Sequence, residues 1–159
     1  MIKRLIAGGA VLATGAAIWG VAGQDNTTRD SSGSIVQSGQ LGAFVTKVGD
    51  CFSGVAAGAT TISTVDGVPC SQPHHWQVYF KTTSTLASYS SDAVHVDAST
   101  QCSNYLNSLG PTLSAVKLQE YSNASFKVLV PTTESWAKGD LGIDCVIGSN
   151  TQTFTDSLL

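Results

Sequence analysis

Apolar and polar residues alternate over several short stretches of the chain, and in one place they change to a helical spacing. In "HWQVYFKTTSTL" Trp76, Val78 and Phe80 fall on one side of a two-residue period, with Gln77, Tyr79 and Lys81 on the other. That pattern, rich in aromatic and β-branched residues, predicts a half-buried strand. "AFVTKVGDCF" alternates and breaks at Gly49-Asp50, a turn dipeptide, and Asp66-Gly67 marks a second turn ahead of Cys70. "FKVLVP" predicts a strand ending at Pro131, and "GDLGIDCVIG" another, with Leu141, Ile143 and Cys145 on one face. Between these strands Cys102, Tyr105, Leu106 and Leu109 stand at i, i+3, i+4 and i+7. That is one face of a helix, capped by Asp97 or Ser99 and stopped by Gly110-Pro111. Strands, a helix and strands again predict an α+β domain with a small, mostly antiparallel sheet and one main helix.

The N-terminus follows a different pattern. Lys3 and Arg4 precede residues 5–23, which carry no charge. A basic end before an apolar stretch is an export signal, and about 19 residues is close to the roughly 20 that span a bilayer. The small residues before Gln24 suit a signal peptidase. Residues 1–23 are therefore expected to be a signal peptide or an uncleaved membrane anchor, and no cysteine lies there to carry a lipid. Residues 24–43 are polar and without period, as in a flexible linker. Residues 44–148 form the expected domain, and 149–159 a polar tail. Only 12% of residues are charged, about half the usual share, so the surface is rich in hydroxyls. The formal charge is −3, and −5 without the first segment, which argues against nucleic acid and against anionic lipid as partners of the folded part.

Four cysteines follow the export segment: Cys51, Cys70, Cys102 and Cys145. An even number outside the cytoplasm reads as two disulfides. Of three possible pairings, Cys51–Cys70 with Cys102–Cys145 is preferred because its loops do not overlap. No two cysteines lie two to four residues apart, so no zinc site is expected. Taken together, "KVGDCF", "VPCSQPHHWQVYF" and "VLVPTTESWAKGDLGIDCVI" resemble the septum-formation domain of high-GC Gram-positive bacteria. The matching positions are Gly49, Asp50 and Cys51; Val68, Cys70, Pro73, His74 and Val78; and Pro131, Trp136, Gly139, Asp140 and Cys145. Gln77 stands where that family usually carries Glu. The resemblance implies an extracytoplasmic domain behind a membrane segment or lipid anchor, and a link to division septa.

Candidate chemistry is sparse. His74 and His75 are adjacent, so on a strand they point to opposite faces and do not chelate one metal together. No metal or other cofactor is expected, and no nucleophile elbow or phosphate-cradling glycine loop is present. His74, Trp76, Trp136 and Asp140 are the expected binding residues, with none assigned as catalytic. The expected function is a tethered or secreted, non-enzymatic cell-envelope domain that binds an envelope protein or the wall polymer. The alternative is an envelope hydrolase using His74 with Asp50 or Asp140.

Overall fold

The computed structural model describes residues 4–6, 23–56 and 58–159. Its elements are β1 (Arg4–Ile6), β2 (Thr28–Arg29), β3 (Ile35–Gln37), β4 (Gly39–Gly42), β5 (Cys51–Ser53), β6 (Thr61–Ile62), β7 (Thr64–Val68) and β8 (Trp76–Thr83), then α1 (Ser91–Leu109), α2 (Ala115–Glu120), β9 (Ser125–Pro131), α3 (Thr133–Trp136) and β10 (Gly142–Gly148). Six strands form an antiparallel sheet in the order β4-β7-β5-β8-β10-β9, and β1 and β6 extend it beyond β9. Ser63 alone separates β6 from β7. The two ends of the sheet are thereby drawn toward each other, and the sheet curls. The expected α+β class, with one main helix, is what the chain adopts.

Two cores result. Inside the curl Leu41, Phe52, Val65, Trp76, Val78, Leu129 and Val146 pack together. On the other face α1 lays Val94, Ala98 and Cys102 against Tyr79, Val128, Ile143 and Cys145. Neighbouring residues of one strand mostly serve different cores, as period two requires; Phe80, expected on the face of Trp76 and Val78, instead packs with Tyr79 on the helix side, where the β8–β10 pairing shifts between Cys145 and Val146. β8 departs from the half-buried expectation. Gln77 and Tyr79 are as buried as Trp76 and Val78, because α1 and the 154–158 segment cover the face expected to meet water.

The helix begins at Ser91, ahead of the expected caps. Val94, Ala98 and Cys102, each four apart, carry its buried face further upstream. Asp97 does not cap it; its carboxylate accepts from Ser84 Oγ at 2.7 Å and Thr85 N at 3.0 Å, tying the helix to the end of β8. Gly110 does not take the left-handed conformation of a helix stop, and the chain turns on through a 3-10 segment, Gly110–Thr112.

Both flanks of the domain also differ from expectation. Residues 24–43 hold the β2–β3 hairpin and β4, the latter paired with β7 from Gly39↔Gly67 to Gly42↔Thr64. Their irregular sequence is placed by a long-range ion pair described below and held by burial of Ile35, Leu41 and Ala43 in the inner core. Residues 149–159 are not a free tail, since Phe154 and Leu158 are buried in the helix-side core. Of the expected signal or anchor segment, residues 1–3 and 7–22 lie outside the described residues, and Arg4–Ile6 pairs as a strand with β9. Among the described residues no helix is long and apolar enough to cross a membrane.

The preferred cysteine pairing forms. Cys51–Cys70 joins the start of β5 to the corner before β8, and Cys102–Cys145 joins α1 to β10. Their sequence separations are 19 and 43, for which loop-closure entropy gives about 3 and about 4 kcal/mol. We expect Cys51→Ser/Cys70→Ser to lower unfolding free energy by about 3 kcal/mol and Cys102→Ser/Cys145→Ser by about 4 kcal/mol. His75→Ala, which loses one contact to Ser53 Oγ, should cost under about 1 kcal/mol. Denaturant titrations of the three variants check this, and a larger loss for His75→Ala would contradict it.

Candidate functional site

The turn at Gly49-Asp50 builds one wall of a cleft. Gly49 sits at φ +94°, in the left-handed region that glycine enters without steric cost. Asp50 closes the turn, its Oδ2 accepting from Lys47 N at 2.7 Å. Arg29, from the β2–β3 hairpin, then donates to both carboxylate oxygens, at 2.7 and 2.8 Å. The guanidinium also donates to Gly33 O and to Asp25. These carboxylate bonds, Asp50 foremost, hold its pKa above the ordinary arginine value. A two-pronged pair of this kind positions a hairpin as well as neutralising it.

The cleft, about 430 Å³, lies between this turn, the Cys51–Cys70 bridge and residues 157–159. Ile35, Val48 and Val68 supply apolar wall, and Ser34 and Ser157 supply hydroxyls. Asp50 is the one ionisable side chain among the described lining residues, and it is paired with Arg29. A smaller polar hollow of about 200 Å³ adjoins it across Val48 and Gly49, lined by Ser32, Ser34 and Lys47.

Behind the cleft wall stands Gln77, fully buried on β8. Its Nε2 donates to Gly49 O at 3.2 Å and to Ser157 Oγ at 2.6 Å, and its Oε1 accepts from Leu158 N at 2.7 Å. The orientation of the amide is fixed by its partners: a carbonyl only accepts and a backbone N–H only donates. Gln77 therefore joins the cleft turn, the central strand and the 157–158 segment through one side chain.

The four expected binding residues are dispersed. His74 is fully buried, and its Nδ1–H donates to Gln72 O at 2.9 Å. Its Nε2 is buried with no hydrogen-bond partner among the described residues. Burial therefore holds its pKa below the ordinary 6.5, since a protonated ring would bury a charge and an unmet donor. Trp76 is core, with Lys127 Nζ 4.6 Å from its ring centre. Trp136 packs edge-on against Tyr89 at 5.7 Å. Asp140 Oδ1 accepts from Gly142 N within its own turn. None of the four lines the main cleft. His95 bonds Ser91 O along α1, and among the described residues no three His, Cys, Asp or Glu side chains converge as a metal site.

Sequence reasoning missed Arg29 and Phe154, and noted Gln77 only as a departure from the Glu of the resembling family. Both carried a signal: Arg29 is the lone cation of residues 24–46, and Phe154 the lone aromatic of residues 137–159. Isolated residues of that kind in polar surroundings are candidates for long-range anchoring.

Two predictions follow from the buried polar groups. The unfolded chain protonates His74 near 6.5 while the fold resists it, so stability is full above that pH and declines as pH falls through it. The melting temperature should drop between about pH 7 and 5.5, and His74→Asn, which keeps a donor for Gln72, should flatten that slope. An unchanged slope would refute the assignment. Gln77→Glu places an acceptor against the Gly49 carbonyl and an ionisable group in the interior. It should cost about 2 kcal/mol or more near neutrality, and less at acid pH where the protonated acid can donate. Denaturant titrations at the two pH values read this directly. Compared with family models, with curated proteins and with solved structures, the chain matches none.

Proposed function

We propose that this chain is a non-enzymatic binding domain of the cell envelope, tethered or secreted, that serves septum formation by recognising a division or wall-synthesis protein or the wall polymer. Two cystines suit an oxidising compartment. The motif resemblance around Cys51, His74 and Trp136 supplies the septal link. The observation that carries the non-enzymatic reading is the state of the acid–base groups. His74 is buried on a backbone carbonyl, and Asp50 is held by Arg29. A hydrolase using His74 with Asp50 or Asp140 requires that imidazole at an open cleft, and among the described residues His74 lines neither the main cleft nor the hollows beside it. What the main cleft offers instead is apolar wall, hydroxyls and a cystine, which are recognition chemistry.

The test is cellular and chemical. A fluorescent fusion of the full chain should concentrate at division septa. Val48→Arg, a change at a half-exposed cleft position, should abolish that enrichment without shifting the melting temperature. Incubation with purified walls should release no soluble fragments. Uniform distribution of the fusion would overturn the septal role, and fragment release would overturn the non-enzymatic reading.

A further inference from the structure

The last segment of the sequence is seated in the fold as a bound peptide would be. Phe154 exchanges both main-chain hydrogen bonds with His74, N–H to O at 2.8 Å and the reverse at 2.9 Å. Its ring stacks on Tyr121 with centroids 4.4 Å apart and 8° between planes. Four positions on, Leu158 is buried 1% exposed, and its N–H is bound by Gln77 Oε1. Tyr121 OH donates to Asp156 O at 2.8 Å, and Lys117 Nζ to the carbonyls of Leu158 and Leu159 at 3.2 Å. Thr155 and Asp156 between the anchors are exposed.

Most of these polar contacts are made to main chain, which any sequence carries. Side-chain selectivity rests on two apolar sockets and on Ser157 Oγ, which accepts from Gln77 Nε2 at 2.6 Å. Main-chain pairing for affinity and spaced sockets for specificity is how sheet-edge peptide sites work. The tether is weak by comparison. Residues 150–153 are exposed, and among the described residues their hydrogen bonds are local, to Ser149. The segment is also approachable from two sides. Ser157 and Leu159 border the main cleft, and Leu158 and Leu159 border a second, more apolar hollow of about 390 Å³ beside Leu113 and Lys117.

We propose that the groove between the start of β8 and α2 is a peptide-binding groove, and that residues 154–158 are a resident strap displaced by a partner-protein segment carrying an aromatic residue and, four positions later, a leucine-like one. This rests on the binding-domain reading above and names its ligand class as an extended apolar-anchored peptide. As an intramolecular occupant the strap competes at millimolar effective concentration. The wild-type groove is therefore closed to weak ligands and opens to those with better anchors.

The test uses the full chain and a fluorescent peptide of residues 151–159, followed by anisotropy. Phe154→Ser weakens the strap and should bind the peptide saturably, about tenfold or more tighter than wild type does. A peptide with Ser at the Phe154 position should not bind. A folded Phe154→Ser chain that shows no saturable binding overturns the proposal. Native-state hydrogen exchange on the wild type decides independently of whether that variant folds. The Phe154 and Leu158 amides should exchange about tenfold or more faster than those of Val78 and Val146, through a local opening. Equal rates, meaning release only on global unfolding, overturn the proposal. Septal enrichment that persists without peptide exchange removes the groove alone and leaves the binding-domain reading intact.

Discussion

A single buried amide sets the terms for much of this structure. Gln77 has no access to water, so each of its polar atoms must be met from within. The partners that meet them, Gly49, Ser157 and Leu158, come from segments far apart in sequence. Satisfying one side chain therefore fixes the turn of the cleft and the packing of Leu158 at once. The Cys51–Cys70 bridge holds the same corner covalently, with Cys70 Sγ 3.9 Å from Gln77 Nε2. Covalent and hydrogen-bonded constraints coincide there, and the cleft is the surface they leave open.

Charge plays an unusual part in a chain with so little of it. Lys81 pairs with the fully buried Asp144 at 2.9 Å and also donates to Thr46 O at 2.7 Å, and Thr46 in turn bonds Asp144. Arg29 and Asp50 pair beside the cleft. Both pairs fasten the loop between β4 and β5, one from the strands beneath and the other from the hairpin alongside. Breaking a pair of this kind strands the remaining charge, whereas its mere presence adds little stability. Their contribution is positional: they decide where an otherwise plain loop lies.

Those local facts explain which parts of the architecture were legible beforehand. β8, β9 and β10 follow from period two, because each side chain there answers to the nearest core. The cystines follow from cysteine spacing. The hairpin at 28–37 does not, since its place depends on Arg29 reaching Asp50, a partner that no local pattern announces. Phe154 and Leu158 were hidden for a similar reason: two apolar residues in a polar stretch form no period, and only the groove that receives them makes sense of the spacing. The site was less legible than the fold. Trp76 was expected as a contact because it stands in a dense motif, but that density reflects a covalent corner and the core behind it, and the cleft wall is formed by Val48, Gly49 and Ser34 instead.

The order of the cystines along the chain has a consequence for biogenesis. Neither ring encloses a cysteine of the other. In a chain delivered N-terminus first to an oxidising compartment, Cys51 and Cys70 arrive together and can seal that ring before Cys102 emerges. Nearest-neighbour oxidation then yields the native connectivity without a shuffling step.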